Sequence, residues 1–160
     1  MSIHSIKAAA LALAIGVVAQ PHISLADVID DFVVQKVYDA AMSGNNEVAL
    51  SMVTDDVFFT VLPAPGHPIW QGAPYLSGKD AVGAWWEFLA SDNSRLEIVE
   101  LKVEGNRAMF LFEFYGDFLK GLDVEPAMSD GMAILREGKI HGMMLSFTPE
   151  TLEAIAAARN

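Results

Sequence analysis

The sequence predicts an α+β domain, a curved antiparallel sheet wrapped around helices and enclosing an apolar cavity. Three observations predict it. Helix-period and strand-period segments fall in the order helix, helix, strand, helix, then four long strands with short turns. The chain is 52% apolar and 19% charged over 160 residues, which supports one folded core and not two. Long strands carrying Phe and Met around a thin helical layer tend to leave a cone-shaped space between sheet and helices.

Residues 1–26 read as a secretory signal. Lys7 supplies a weak basic start, residues 8–19 form an apolar run too short to span a bilayer, and Pro21 ends it. Ser24-Leu25-Ala26 fits a small-x-small cleavage site. Cleavage near Ala26 implies export, to a periplasm or to the medium, with no membrane association afterwards. The other reading is an N-terminal helix kept in the mature protein. Residues 27–160 form the single domain.

Each element has a local cause. Ile29, Phe32, Val33, Val37, Tyr38 and Ala41 recur at helical spacing over residues 27–43, and Gly44 stops that helix. Asn45-Asn46 caps a short second helix over 47–53. Residues 57–62 are rich in β-branched and aromatic side chains, as a strand requires. Residues 63–77 form the longest loop, holding His67, Trp70 and Tyr75; loops of this length in compact domains are often functional. A third helix covers 81–90. Strands follow at 96–103, at 107–118, around Asp130, and at 140–147, the last two joined by a hairpin at Glu137-Gly138. Thr148-Pro149-Glu150 then starts a C-terminal helix, with an N-cap, a proline at the first position and an acid in the first turn.

Composition excludes several functions. With 21 acids against 10 bases the formal net charge is −11, and loss of Lys7 makes it −12, which disfavours nucleic acid and anionic membranes as partners. Without cysteine there is no disulfide or thiol chemistry. His4, His22, His67 and His141 have no metal-ligand spacing, so no metal and no cofactor is expected.

Asp130 stands out, a carboxylate inside the apolar run Ala127-Met128-Ser129-Asp130-Gly131-Met132-Ala133-Ile134-Leu135. It is either a cavity carboxyl that donates a hydrogen bond or moves a proton, or a strand aspartate satisfied by its neighbours or facing outward. Tyr38 has the same two readings, a cavity hydroxyl or a packed helix tyrosine. His141 shares the strand parity of Met143, Leu145 and Phe147, which makes it a candidate base or a structural histidine. His67, with Trp70 and Tyr75, is a candidate acid/base in a lid, or part of a loop packed on the barrel or on a second subunit. Phe110, Phe112 and Phe114 share one strand face. Of the adjacent Trp85 and Trp86 at most one lines the cavity, and Trp86 is the candidate. With Trp70, Met132 and Met143, these form the expected apolar ligand wall.

In this order and spacing, several pieces carry a resemblance. They are Tyr38, Gly44-Asn45-Asn46, Asp55-Asp56, Gly78-Lys79-Asp80-Ala81-Val82 and Arg136-Glu137-Gly138-Lys139-Ile140. Together they resemble the nuclear-transport-factor-2-like superfamily, the cone-shaped α+β barrels that include SnoaL-like and ketosteroid-isomerase-like proteins. The resemblance implies the fold and a choice of functions. Against the isomerase pattern, Tyr38 and Asp130 fall at the oxyanion-hole positions, but the general-base position holds Val61 or a neighbour. Against the limonene-epoxide-hydrolase pattern, Phe112, Phe114 and Leu145 stand where the water-activating residues belong. A SnoaL-like cyclase uses an acid in the cavity, a role open to Asp130.

The expectation is therefore an exported domain that binds a small apolar molecule. The alternatives are an isomerase, cyclase or dehydratase that polarises a carbonyl with Tyr38 and Asp130, or a structural interaction module. The resemblance also implies a homodimer through the outer sheet face, where Leu111, Glu113 and Tyr115 would lie.

Overall fold

The structure, a computed structural model, describes residues 25–61 and 75–159. The expected signal segment, His67 and Trp70 lie outside the described residues. The elements are α1 (Leu25–Met42), α2 (Asn46–Ser51), β1 (Val53–Val61), β2 (Tyr75–Ser77), α3 (Gly78–Ser91), β3 (Arg95–Glu104), β4 (Arg107–Tyr115), α4 (Asp117–Gly121), β5 (Ala127–Arg136), β6 (Lys139–Phe147) and α5 (Pro149–Ala158).

Local chemistry sets most boundaries. The Asn45 side chain accepts from the Val48 N–H at the start of α2. Thr148 does the same for Thr151 at α5, with Pro149 in the first turn. Between β5 and β6, Glu137 and Gly138 both have positive φ, 55° and 71°, and Arg136 pairs with Lys139. A two-residue hairpin with both central residues left-handed matches the twist of its strands.

The six strands form one open sheet in the order β2-β1-β6-β5-β4-β3. It is mixed, which corrects the antiparallel expectation: β1 runs parallel to β6. A parallel pair needs a long crossover, and here α3 and β3 to β5 supply it. α1 and α3 pack across the sheet, α1 on β3 and α3 on β1, with α2 beside them. The main core lies between these layers, built on Val34, Val37, Phe59, Trp86, Ile140 and Met143. A smaller cluster of Leu119, Ala127 and Ile155 lies beneath α4 and α5, and Phe114 and Phe147 pack against it.

The strand expected over residues 107–118 stops at Tyr115, and α4 follows. The cause is distant in sequence. Asp92, just past α3, accepts the Phe118 N–H at 3.2 Å through its carboxylate, and its backbone carbonyl accepts the Asp117 N–H at 2.9 Å. A carboxylate at a helix start satisfies donors that the helix cannot.

Candidate functional site

The concave face of the sheet and the helices above it leave a cavity open to solvent. Its empty space, counted out to the mouth, is about 480 Å³, of which about 40 Å³ is free for the centres of water-sized molecules. The larger figure falls within the usual range of small-molecule pockets; the smaller has room for roughly two or three waters. α1 contributes Tyr38, α3 contributes Trp85 and Leu89, and the last described residue of β1, Val61, lies at the wall. The sheet contributes Leu96, Phe112, Phe114, Ser129, Leu145, Ser146 and Phe147.

Strand register explains that wall. Ser129 pairs with Phe112 on one side and Phe147 on the other, so the three side chains form one row across β4, β5 and β6. The rings of Phe114 and Phe147 meet edge-on, centroids 6.1 Å apart, and close one end. Behind the cavity Phe59 packs edge-on against both Trp85 and Trp86.

The polar groups of the cavity are few. Tyr38 is 1% exposed, and its hydroxyl donates to Met143 Sδ at 2.9 Å. Burial pushes its pKa well above 10.0, so the phenol stays neutral. The Ser129 hydroxyl and the Trp85 indole N–H are buried without a hydrogen-bond partner in the protein. Among the described residues, the cavity wall carries no carboxylate, imidazole or amine.

Several expected site residues stand elsewhere. Asp130 is exposed on the opposite face of β5, paired with Leu111 and Ser146. It borders a shallow groove with Glu100, Lys102 and Met109. It therefore does not meet Tyr38, and the expected carbonyl-polarising pair is not formed. The reason is steric. The inward row of β5 must be small, because Gly131 and Ser129 lie beside Phe110 and Phe112, and Ala127 beside Phe114. Parity then turns Met128, Asp130 and Met132 outward.

His141 is also displaced from the cavity. Ile134 pairs with Gly142 and Leu135 with Ile140, leaving His141 as the extra residue of a β-bulge. The bulge breaks the parity it was expected to share with Met143. Its Nδ1 instead lies 3.1 Å from Thr54 Oγ1 and 3.5 Å from Asp56 Oδ1, with its ring edge-on to Phe58. Both oxygens approach the same nitrogen, so the trio lacks the two-sided relay of a hydrolase triad. Asp56 is hydrogen-bonded by Arg136, which holds its pKa at about 2.

Among the expected ligand wall, Phe112 and Phe114 line the cavity. Phe110, Trp86 and Met143 are packed in the core instead, and Met132 is on the outer face with Asp130. Of the tryptophan pair, Trp85 lines the cavity and Trp86 fills the core, the reverse of the expected choice. Among the described residues no cluster of His, Cys, Asp and Glu is placed to hold a metal, and no helix is long and apolar enough to cross a membrane.

With this geometry, comparison with known proteins is informative. The SnoaL-like domain family model matches residues 34–143, more than half of the chain. The chain belongs to the SnoaL-like family. This SnoaL-like chain is similar in structure to an NTF2-like protein of unknown function from Mesorhizobium loti, with a TM-score of 0.60 at 15% identity over 79% of this chain and 97% of that one. It is also similar to a candidate polyketide cyclase from Sinorhizobium meliloti, TM-score 0.56 at 16% identity, covering 71% and 93%. A candidate ketosteroid isomerase from Kribbella flavida gives 0.55 at 10% identity, covering 76% and 78%. At these identities the likeness shows the NTF2-like fold alone. No curated protein matches the sequence.

Proposed function

We propose that this SnoaL-like protein is exported and binds a small, mostly apolar molecule in the cavity between α1, α3 and the concave sheet, without turning it over. The observation that carries this reading is the composition of the wall. Aromatic and aliphatic side chains surround the space, and the described wall has no group able to take a proton at neutral pH. The polyketide cyclase and ketosteroid isomerase likenesses support a cavity of this kind and leave the chemistry to the residues present. Export rests on the apolar segment 8–19 and the Ser24-Leu25-Ala26 pattern.

The test is a toluene titration followed by backbone amide shifts. Saturable shifts at Tyr38, Trp85, Leu89, Phe112 and Ser129 support the proposal. Shifts confined to the outer strand face, or none that saturate, overturn it.

A further inference from the structure

A buried donor without an acceptor costs about 1–3 kcal/mol, so each one calls for a reason. This cavity gathers several. Ser129 is 1% exposed and Trp85 is 6% exposed, and neither the hydroxyl nor the indole N–H finds a partner in the protein. Tyr38 donates only to a thioether, a weak acceptor. Trp86 offers the internal contrast: its N–H is also unpartnered, yet it is fully buried in the packed core and lines no cavity. The Ser129 and Trp85 donors belong to residues that border open space, one on the sheet and one on the helix layer.

We propose that the cavity selects a ligand bearing a neutral oxygen acceptor (a ketone, aldehyde or ester carbonyl) that Ser129 and Trp85 bind by hydrogen-bond donation. The inference rests on the cavity-binding reading and adds the polar half of the ligand to it. An indole N–H only donates, so the group opposite Trp85 must accept. The acceptor must also be uncharged. Among the described residues no cation lines the wall, burying an unpaired carboxylate costs several kcal/mol, and the chain's net charge of −11 repels anions. The rest of the ligand is apolar, to match Phe112, Leu89 and Leu145.

Three probes of one shape separate these statements: acetophenone, α-methylstyrene, which replaces the carbonyl oxygen by a methylene, and benzoate. The expected result is acetophenone binding about tenfold more tightly than α-methylstyrene, with benzoate weakest. Ser129→Ala is expected to bring the first two affinities within about twofold of each other by weakening acetophenone alone, and Trp85→Phe to act in the same direction. Asp130→Asn, on the other face, is expected to leave all three unchanged. In the unsubstituted protein the Trp85 indole N–H resonance, assigned by its loss in Trp85→Phe, should move with acetophenone and stay with α-methylstyrene. This readout does not depend on how well a variant folds. Equal affinity for acetophenone and α-methylstyrene overturns the carbonyl inference and leaves the apolar cavity standing. Tightest binding of benzoate overturns the requirement for a neutral group. If none of the three saturates, both this inference and the cavity reading fall.

Discussion

Gly131 lies directly beneath the ring of Phe110. A Cβ added to Gly131 would sit 2.2 Å from one ring carbon and 2.3 Å from the next, where no real contact is tolerated. The two residues are register partners on adjacent strands, and Phe110 is 4% exposed, so its ring has little room to move. Gly131→Ala is therefore expected to destabilise the fold by about 1–3 kcal/mol through overpacking. Urea unfolding measures this. Adding Phe110→Leu should recover part of the loss, because the two changes share one contact. Fully additive losses would show that the ring is not the obstacle.

That contact also explains what was legible in the sequence. Helix periods, caps and the Glu137-Gly138 turn are local signals, and they place α1, α2, α3, α5 and the last hairpin correctly to within a few residues. The inward face of β5 is not a local property. On that strand the bulkier residues, Met128, Met132 and Ile134, face outward, while Ala127, Ser129, Gly131 and Ala133 face in. Hydrophobicity alone points the wrong way there. The decisive signal was on the neighbouring strand: three phenylalanines on one face of β4 require small partners. Reading β4 and β5 together would have turned Ser129 inward and Asp130 outward. His141 was lost for a related reason, since a bulge changes parity without leaving a mark in a single strand's sequence. α4 depended on Asp92, more than twenty residues upstream.

The buried Tyr38 hydroxyl makes stability sensitive to alkali. A phenol whose folded pKa lies above its ordinary value of 10.0 stabilises the fold fully below pH 10.0, and that contribution is lost as pH rises from there toward the folded value. Thermal unfolding followed from pH 8 upward should show a falling Tm beyond pH 10. Tyr38→Phe should shrink that fall and cost no more than about 1 kcal/mol at neutral pH, since the bond it removes ends on a thioether. A smaller alkaline loss should persist in the variant. Tyr115, hydrogen-bonded to Glu113, also has a raised pKa. An unchanged alkaline limb in Tyr38→Phe would contradict this account.

At the acid end the relevant group is Asp56. The Arg136 guanidinium, with help from Thr54, holds its carboxyl at about 2 against an ordinary value of 3.8. Its contribution is present above pH 3.8 and is lost as pH falls toward 2. The carboxylate is exposed, so solvent screens the pair and the effect is modest. Asp56→Asn should lower Tm at pH 6 and flatten its dependence between pH 4 and pH 2. Moderate salt should lessen the difference between the two proteins. If both lose stability in parallel through that range, the Asp56–Arg136 pair is not the acid-sensitive element.

The outer face of the sheet carries a continuous row in register across all six strands: Lys102, Met109, Met132, Met144, Thr60 and Tyr75. Its apolar members are conspicuous, with Met144 42% and Tyr75 70% exposed, and Phe58 is a further exposed ring one row away at 40%. Contiguous apolar surface of this kind marks an interaction site, and adaptable methionines suit a self-complementary contact. Both charge signs border the row on β3 and β4, through Glu100, Lys102, Glu104 and Arg107, as pairing with a second copy requires. The expected state is a homodimer through this face. Light scattering on a sizing column should give twice the mass of the chain. Met132→Lys, at the centre of the row, should give the monomer mass while keeping the circular dichroism spectrum and the cavity's response to toluene. A monomeric unsubstituted protein, or a dimer indifferent to Met132→Lys, would remove this face as the dimer contact. In either case the cavity on the opposite side of the sheet would be unaffected, because no residue of the row lines it.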